Sequence, residues 1–380
     1  MKVVIAMDSF KGSLSSAAAG SAAAAGVRLV FPEAETKVVP VADDGEGTTD
    51  VFEFQKGFRW VTAEVTGPLG EKTEVRYGII GNGVAVMEMA QAAGLVLVPP
   101  EKRNPMATTS RGVGEMILHA MDQGCREIIL GLGGSATNDG GLGMLTALGA
   151  RFFNETGESV GDSGADMCRI ARADLSDLDP RLYECRIRGA CDVDNPLCGP
   201  RGASRIFGRQ KGADDDTVRI MDEALGRYAK AMTEAGCADV APEPGSGAAG
   251  GLGYALRVLP GSALESGAAL LMDAIGLADD LKGADLLVTG EGRIDEQTAM
   301  GKCPSAVARL GKAAGVPVVA LCGSVGEKAF FSSSSDIDAV FPVLSEPCTL
   351  TEAMDPAVAK RNIRRTAAQI CQLIRAVNTE

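Results

Sequence analysis

Residues 131–141 (GLGGSATNDGG) combine glycines with hydroxyl and amide side chains, a composition suited to binding an anion. Glycine permits positive φ and close approach of the backbone, and N–H groups at the start of a helix bind phosphate. Five glycines in eleven residues are more than a plain strand-to-helix turn requires. The segment therefore predicts anion contacts from Gly133, Gly134, Ser135, Thr137 and Asn138.

Two further segments place both signs of charge next to glycine. They are residues 8–13 (DSFKGS) and residues 290–295 (GEGRID), the second being followed by Lys302. Each segment follows an apolar run, so we expect its charges at the carboxyl end of a buried strand, where open α/β sheets bind ligands. Ser13 is the expected N-cap of the helix that follows the first segment.

Carboxylates cluster after two other predicted strands. Residues 43–46 (DDGE) hold three carboxylates, which repel each other unless a cation is near, so binding Mg²⁺ competes here with a solvated turn. Asp192 and Asp194 follow a predicted strand at 186–191, and alternation places them on one side. Contact with substrate or metal competes there with an Asx turn. Lys211 is expected either to hold a carboxylate or phosphate or to be solvated.

Charge and histidine content argue against several classes of function. The chain has 37 Lys and Arg against 50 Asp and Glu, a net charge of −13, which argues against nucleic acid or an anionic membrane surface as partner. Its one histidine, His119, lies in a predicted amphipathic helix at 111–122, so neither a three-histidine metal site nor a Ser-His-Asp hydrolase is expected. Proton transfer then falls to a carboxylate or lysine. No P-loop motif is present.

The remaining composition favours a cytoplasmic protein. The ten cysteines are scattered without any CxxC pair, as expected for thiols in a reducing compartment. The apolar run before Asp8 is shorter than the core of a signal peptide, and no apolar stretch is long enough to span a bilayer.

Five short apolar runs must position the polar segments: 2–7, 36–41, 127–130, 285–289 and 317–321. Runs that are apolar on both faces are typical of buried parallel strands. We therefore expect all five following loops to gather at one edge of a sheet, around one cleft. Such a cleft would suit an enzyme that handles a phosphorylated ligand with a divalent cation.

The order of these runs predicts an α/β protein with two α/β domains. A doubly wound, largely parallel, Rossmann-like or flavodoxin-like domain is expected from both chain ends, residues 1–60 and 281–380. Residues 61–280 are expected to form an inserted mixed α/β domain, which begins with an antiparallel meander at 61–98. Residues 105–145 could belong to either domain.

Residues 245–250 match the dinucleotide pattern GxGxxG only formally. Glu243 and Pro244 precede the match, whereas a dinucleotide fingerprint follows a strand directly. A tight loop that faces phosphate or substrate, with Ser246 as its hydroxyl, is favoured over a nicotinamide site, and a simple turn is the remaining alternative.

Taken together, these segments resemble the type I glycerate kinase family. The resemblance rests on seven matches in sequence order, which span residue 3 to about 325: 8–13, 40–43 with 45–48, 131–141, 192–199, 210–213, 244–251, and 289–295 with Thr298 and Lys302. Three residues depart from the family pattern, since Met7, Asp44 and Arg209 stand where the family has proline, glycine and proline.

The resemblance implies ATP-dependent phosphorylation of D-glycerate by a phosphotransferase that uses ATP and Mg²⁺. Members usually act at the 2-hydroxyl and give 2-phosphoglycerate and ADP. Attack at the 3-hydroxyl, or on another small hydroxy acid, is the alternative. The resemblance also implies two α/β domains, in agreement with the order of the strands.

From the chemistry of these segments we assign expected roles to individual residues. Catalysis is assigned to Asp8, Lys11, Asp192 and Lys302, with Asp192 or Asp8 accepting the hydroxyl proton. ATP and its phosphates are assigned to Gly133, Gly134, Ser135, Thr137, Asn138, Gly290 and Gly292. The substrate is assigned to Ser9, Lys211, Ser246 and Arg293, and the metal to Asp43, Glu46 and Asp295.

Three other functions stay open on the sequence alone. They are a nicotinamide-dependent hydroxy-acid dehydrogenase, a sensor of sugar acids without catalysis, and a different small-molecule kinase. In each case the expected partners are small molecules rather than nucleic acid or membrane, and the expected state is a monomer or homodimer.

Overall fold

Both ends of the chain contribute to one unit of the structure, and the middle of the chain forms another. The computed structural model describes residues 1–42, 48–81, 83–295, 303–326 and 336–377. Met1–Asp43 and Ala268–Glu380 form the terminal unit, and Asp44–Gly267 form the inserted unit. The boundaries thus fall at 43 and 267 instead of near 60 and 280, and residues 105–145 lie in the inserted unit.

The described strands alternate with helices along both units. The strands are β1 (Lys2–Met7), β2 (Glu35–Val38), β3 (Arg59–Thr66), β4 (Lys72–Ile80), β5 (Val84–Glu88), β6 (Glu127–Gly131), β7 (Arg151–Phe153), β8 (Arg172–Asp174), β9 (Arg186–Ala190), β10 (Ser262–Glu265), β11 (Leu286–Ile294), β12 (Val318–Val325) and β13 (Ala339–Pro342).

The described α-helices are α1 (Ser16–Val30), α2 (Ala90–Ala93), α3 (Arg111–Asp122), α4 (Leu142–Ala147), α5 (Gly164–Met167), α6 (Ala203–Phe207), α7 (Asp215–Glu234), α8 (Leu252–Val258), α9 (Gly267–Ala274), α10 (Leu277–Asp280), α11 (Cys303–Ala313), α12 (Leu350–Met354) and α13 (Pro356–Val377). Short 3₁₀ turns include Arg209–Lys211 and Ala248–Gly251. No helix among the described residues is long and apolar enough to cross a membrane.

The terminal unit contains a parallel sheet in the order β2-β1-β11-β12-β13. Numbered within the unit, this is the order 2-1-3-4-5 of flavodoxin-like folds. Ile5 and Val288 face a core that includes residues of α1 and α13, while Leu287 lies beside Gly311 of α11. Helices therefore cover both faces, and the doubly wound architecture predicted for the chain ends is confirmed.

The inserted unit contains a mixed sheet in the order β3-β4-β5-β6-β9-β10. Strands β3, β4 and β5 pair antiparallel, whereas β5, β6, β9 and β10 pair parallel. The antiparallel part confirms the meander predicted from the alternating residues after position 60. The parallel part sends the carboxyl ends of β5, β6, β9 and β10 to one edge, which positions the candidate site of this unit.

The expectation that all five apolar runs share one sheet edge is wrong. Four of the runs lie in the terminal sheet, but β6 pairs with β5 and β9 in the sheet of the inserted unit. An apolar strand pattern reports burial on both faces and contains no information on which sheet the strand enters. β6 instead pairs with β5, the strand that directly precedes it in the chain, and with β9, both of which belong to the inserted unit.

Two local predictions about helices have different outcomes. The predicted helix at 111–122 is confirmed as α3, and His119 lies on it with its Nδ1 2.8 Å from the Tyr77 hydroxyl oxygen. Ser13, however, is not the N-cap of α1. Ser15 occupies that position and its hydroxyl accepts a hydrogen bond from the Ala18 N–H at 3.3 Å.

Gly26 offers a test of the close packing of α1 against α13. A Cβ atom at this position would lie 2.2 Å from the backbone oxygen of Arg364, a contact that no side-chain rotation relieves. Alanine gains about 1 kcal/mol over glycine in a helix, but overpacking costs about 1–3 kcal/mol and a backbone overlap belongs at the upper end. We expect Gly26→Ala to lower the free energy of unfolding by about 1–2 kcal/mol, measured by urea denaturation.

Ser21→Ala is the matched control, since Ser21 is an exposed residue of the same helix. It should change the free energy of unfolding by less than about 0.5 kcal/mol. A Gly26→Ala variant as stable as the parent protein would show that the two helices have room to separate.

Candidate active site

The carboxyl ends of β1 and β11 bring two of the predicted segments together in the terminal unit. The two strands are parallel neighbours, and the N–H of Asp8 donates to the backbone oxygen of Gly290 at 2.8 Å. The Asp8 side chain is only 4 % exposed, and its Oδ1 accepts from the Ser9 N–H at 2.5 Å. A buried carboxylate is therefore held at the end of the strand where ligands of such sheets bind.

The charged residues around Asp8 differ in exposure. Lys11 is exposed, and its backbone nitrogen would lie 3.8 Å from a Cβ added to Gly292. The Arg293 side chain is 70 % exposed, and its Nε lies 3.5 Å from Asp295. Three of the predicted residues, Asp43, Glu46 and Lys302, lie outside the described residues.

Gly290 and Gly292 are strand residues and do not form the loop expected from their sequence. Strand β11 continues through both to Ile294, and Gly290 pairs with Met7 on one side and Leu321 on the other. A Cβ at Gly290 would lie 2.0 Å from the Leu321 backbone oxygen, so the absence of a side chain allows the strands to approach.

A cavity of about 300 Å³ lies in the inserted unit, beyond the ends of β6 and β9. Gly133, Gly134, Ser135 and Lys211 all contribute to its wall. The structure thus brings together two segments that are more than seventy residues apart in the sequence. The other residues that line the cavity are Leu95, Leu132, Cys191, Val193, Phe207, Gln210, Ala248 and Ala249.

Lys211 is the cationic residue of this cavity and is almost completely buried, with 2 % of its surface exposed. Its Nζ donates to the Ser135 hydroxyl at 2.8 Å and to the Thr137 backbone oxygen at 2.7 Å. Burial disfavours the ammonium form and lowers the pKa of Lys211 to about 7, although the Asp139 carboxylate acts in the opposite direction. The site therefore contains a lysine that changes charge near neutral pH.

The Asp139 carboxylate lies at the start of α4, where the sequence suggested that N–H groups would bind a phosphate. This residue is 0 % exposed, and its carboxylate accepts hydrogen bonds from the Gly141 and Gly143 N–H groups at 3.1 and 3.2 Å. The Ser110 N–H and hydroxyl donate to the same carboxylate at 2.8 and 2.7 Å. Burial raises the pKa of Asp139 despite these bonds. The start of α4 is thus satisfied from inside the protein and is not the anion site.

The two glycines nearest β6 keep their N–H groups available. Within the part of the chain that the structure describes, the N–H groups of Gly133 and Gly134 donate to no protein acceptor, and both residues line the cavity. Gly140 and Gly141 have a different function, because their positive φ and lack of Cβ let the segment pack against Tyr228 and Ala255. The glycine-rich segment therefore divides into a binding half and a packing half.

Three predicted ligand contacts lie beneath the cavity surface. Thr137, Asn138 and Ser246 are each 0 % exposed. The Asn138 side-chain amide donates to the Ser204 hydroxyl at 2.8 Å, and the Ser246 hydroxyl donates to the Val240 backbone oxygen at 2.6 Å. The Asn138 amide N–H and the Ser246 hydroxyl therefore support the loops, whereas the Thr137 hydroxyl and the Asn138 side-chain oxygen have no hydrogen-bond partner among the described residues. Of the segment around Ser246 it is Ala248 and Ala249 that line the cavity.

Asp192 lies at the end of β9, between two residues of the cavity wall, Cys191 and Val193. It is exposed, and its Oδ1 accepts from the Ser266 hydroxyl at 3.0 Å and from the Gly267 N–H at 2.9 Å. The loop after β10 therefore fixes one oxygen of this carboxylate. Asp194, two residues on, is also exposed and pairs with Arg201 at 2.6 Å.

Comparison with known proteins places the chain in a family. The model of the glycerate kinase family matches residues 3–375. The chain belongs to the glycerate kinase family. It is 48 % identical over 372 residues to a glycerate kinase of Bacillus cereus, with 97 % of each chain covered, and 46 % identical over 374 residues to glycerate 2-kinase of Escherichia coli, with 97 % of this chain and 98 % of the relative covered.

A solved structure agrees with this membership of the glycerate kinase family. The crystal structure reported for glycerate kinase 2 from Salmonella typhimurium has a TM-score of 0.90 and 44 % sequence identity, and the match covers 100 % of both chains. The resemblance inferred from the seven sequence segments is thus confirmed, and so is the α/β fold.

In this member of the glycerate kinase family, sequence reasoning missed several residues of the cavity. Phe207 and Gln210 line the wall beside Lys211, although the sequence suggests a binding role in this segment only for Lys211. Ala249 is the one described non-glycine residue with positive φ, at 51°. Such a strained backbone is found mainly where packing or function requires it. The sequence contains no signal for that conformation, since alanine rarely adopts it.

The buried amine of Lys211 predicts a pH-dependent contribution to stability. Because its pKa is lower in the folded than in the unfolded protein, the unfolded protein binds more protons between about pH 7 and the ordinary lysine value of 10.5. The Lys211 contribution to the free energy of unfolding therefore rises with pH across that window, by about 1.4 kcal/mol for each unit of pKa difference.

Lys211→Met is the comparison that isolates this effect. The parent protein should become more stable relative to the variant from pH 7 to pH 10. All other titrating groups are present in both proteins, so their contributions to the difference in unfolding free energy cancel. Urea denaturation at several pH values measures it. A difference that stays constant across the window would mean that Lys211 keeps its ordinary pKa.

Proposed function

We propose that this chain transfers the terminal phosphoryl group of ATP to the 2-hydroxyl of D-glycerate, giving 2-phosphoglycerate and ADP. Membership of the glycerate kinase family establishes ATP-dependent phosphorylation of glycerate, and the position of the attacked hydroxyl is the part that we infer. The name of the 46 % identical E. coli relative, glycerate 2-kinase, supports the 2-hydroxyl. The 3-hydroxyl is the alternative that the test below separates.

The observation that carries the proposal is the set of donors in the cavity of the inserted unit. The N–H groups of Gly133 and Gly134 have no described protein acceptor, and Lys211 and Ser135 lie in the same wall. Fixed N–H dipoles and a buried amine in a site of low dielectric bind oxyanions strongly and need little reorganisation. We assign phosphate oxygens to Gly133, Gly134 and Ser135, and the glycerate carboxylate to Lys211.

Asp192 is the proposed acceptor of the hydroxyl proton. Its neighbours Cys191 and Val193 line the cavity, and the Ser266 hydroxyl and Gly267 N–H fix one oxygen of its carboxylate. A base must be held in position before its basicity is useful. Asp8 is the second candidate, since it is a buried carboxylate at the end of β1.

The charged residues of the terminal unit have proposed roles of their own. Lys11 and Lys302 offset the charge of the phosphates, because phosphoryl transfer depends on positioning and neutralisation more than on covalent chemistry. Ser9 and Arg293 are proposed to contact substrate. Within β11, Gly290 contributes through the close approach of β12 rather than through the loop N–H group expected from the sequence, whereas a Cβ at Gly292 would make only ordinary contacts.

Magnesium is the proposed metal, and Asp8 and Asp295 are carboxylates of the terminal unit that could each contact it. Because Met7 pairs with Gly290, Asp295 lies about 13 Å beyond Asp8 along the sheet, so the two are proposed as separate contacts. Mg²⁺ is usually held by one or two carboxylates together with substrate phosphates. Among the described residues no group of three or more His, Cys, Asp or Glu could hold a metal ion, and Asp43 and Glu46 of the predicted metal set lie outside those residues. When bound, Mg²⁺ would neutralise phosphate charge.

The compartment proposed for this reaction is the cytoplasm. The ten cysteines all fall within the described residues and form no disulfide bond. Thiols persist in a reducing environment, which supports the cytoplasm over an oxidising compartment.

The product formed from ATP, Mg²⁺ and D-glycerate tests the proposal. Phosphorus NMR of the reaction mixture distinguishes the two phosphoglycerates, and we expect the 2-phosphoglycerate resonance to grow as ATP is consumed. A resonance from 3-phosphoglycerate would keep the kinase and overturn the position. ATP consumed with neither product, or only with another hydroxy acid, would overturn glycerate as the substrate.

Asp192→Asn tests the base without removing the anchor. The asparagine Oδ1 can still accept from Ser266 and Gly267, so the loop keeps its geometry while the base is lost. We expect kcat to fall by about 10²–10⁴ with little change in melting temperature. Steady-state kinetics measures it.

Asp194→Asn is the matched control, because Asp194 is an exposed carboxylate of the same loop that pairs with Arg201. Its kcat should stay within about twofold of the parent value, as expected for an exposed ion pair. Near-normal kcat in Asp192→Asn would transfer the role of base to another carboxylate.

A further inference from the structure

A groove on the terminal unit concentrates positive charge on a chain whose net charge is −13. It lies between α1 and α13 and encloses about 780 Å³. Four exposed cations of α13 line it, namely Lys360, Arg361, Arg364 and Arg365. Small side chains of α1, the exposed Leu29 and Ala368 of α13 form the rest of the wall, and no acidic residue is among the residues that line it.

None of these four cations forms an ion pair or a hydrogen bond with another residue described by the structure. On α3 and α7, by contrast, cations pair with a carboxylate four residues away. Examples are Arg111 with Glu115 at 2.9 Å, Arg219 with Glu223 at 3.3 Å, and Lys230 with Glu234 at 3.7 Å.

The spacing on α13 also puts like charges next to each other. Lys360 and Arg364 are four residues apart, as are Arg361 and Arg365, and like-charged pairs at this spacing destabilise a helix. Solubility does not require them, since the net charge of the chain is already far from zero. An arrangement that repels itself in the free protein becomes favourable when an anion lies between the charges.

We propose that this groove is a binding site for a compact polyphosphate anion. The four cations span five residue steps of the helix, about 7 Å at 1.5 Å per residue, which matches a short phosphate chain better than an extended acidic peptide. The guanidinium groups of Arg361, Arg364 and Arg365 can each hold two phosphate oxygens at once.

The groove is separate from the residues assigned to catalysis. None of its lining residues is a candidate for binding ATP or glycerate, and all of them belong to α1 and α13. The anion is therefore a ligand additional to the substrates. The anion is either inorganic polyphosphate or the phosphate chain of a nucleotide. Only the nucleotide has a nucleobase that could contact Leu29.

Titration calorimetry with inorganic tripolyphosphate, at fixed ionic strength, tests the site. The groove variant is Arg361→Gln/Arg364→Gln. The control is Arg219→Gln/Lys230→Gln on α7, which changes the net charge by the same amount. We expect the groove variant to weaken tripolyphosphate binding at least tenfold and the control to leave it within twofold.

Kinetics and melting temperature complete the test. The groove variant should keep the parent kcat and KM for ATP, and it should melt no lower than the parent because a like-charge repulsion is relieved. If both variants bound tripolyphosphate equally more weakly than the parent, the loss would reflect the change in net charge alone, and the proposal would be overturned. Unchanged binding in the groove variant, or a rise in its KM for ATP that matches the loss of tripolyphosphate binding, would also overturn it.

A second titration with ADP distinguishes the sources of the phosphate chain. The groove component of binding is the part that the groove variant loses. If that component is at least tenfold tighter for ADP than for tripolyphosphate, the ligand is a nucleotide. If it is tighter for tripolyphosphate, the ligand is inorganic polyphosphate. A groove component absent for both anions would overturn the site.

Discussion

The need to satisfy a buried lysine amine ties together the two segments that form the cavity of the inserted unit. A polar group removed from water costs several kcal/mol unless the protein supplies hydrogen-bond partners. Lys211 finds them in the Ser135 hydroxyl and the Thr137 backbone oxygen, both in the segment that follows β6. The conformation of that segment is therefore tied to a residue more than seventy positions away, and the cavity lies where the two meet.

The neighbouring interactions follow from this arrangement. Asp139, which lowers the cost of the nearby ammonium, is itself held by Ser110 and by the first N–H groups of α4. Gly250 packs against the same segment because it has no Cβ, which would lie 2.0 Å from the Thr137 backbone oxygen. The Gly140 N–H donates to the Gly250 backbone oxygen at 3.0 Å. The Asp139 carboxylate and the Thr137 backbone oxygen are thereby used for structure, and the N–H groups of Gly133 and Gly134 stay available to a ligand.

Much of the fold and the family could be predicted from the sequence, because strand and helix periodicities and an ordered set of segments are local properties. The division of the glycine-rich segment could not. Whether Thr137 and Asn138 face a ligand depends on acceptors and donors such as Ser204, which only the tertiary fold brings near. Likewise the composition around Gly290 is typical of a loop, yet Gly290 lies in β11, and the close approach of β12 explains why this strand position lacks a side chain.

The protonation of Lys211 is the most direct test of this central role. Nitrogen-15 NMR of the lysine side chains, with Lys211 assigned by comparison with Lys211→Met, follows the charge of this amine through a pH titration. We predict a pKa near 7 in the free protein, well below the ordinary value of 10.5, and a higher pKa once an oxyanion such as glycerate is bound. A pKa near 10.5 in the free protein, unchanged by glycerate, would contradict a buried lysine that organises this site.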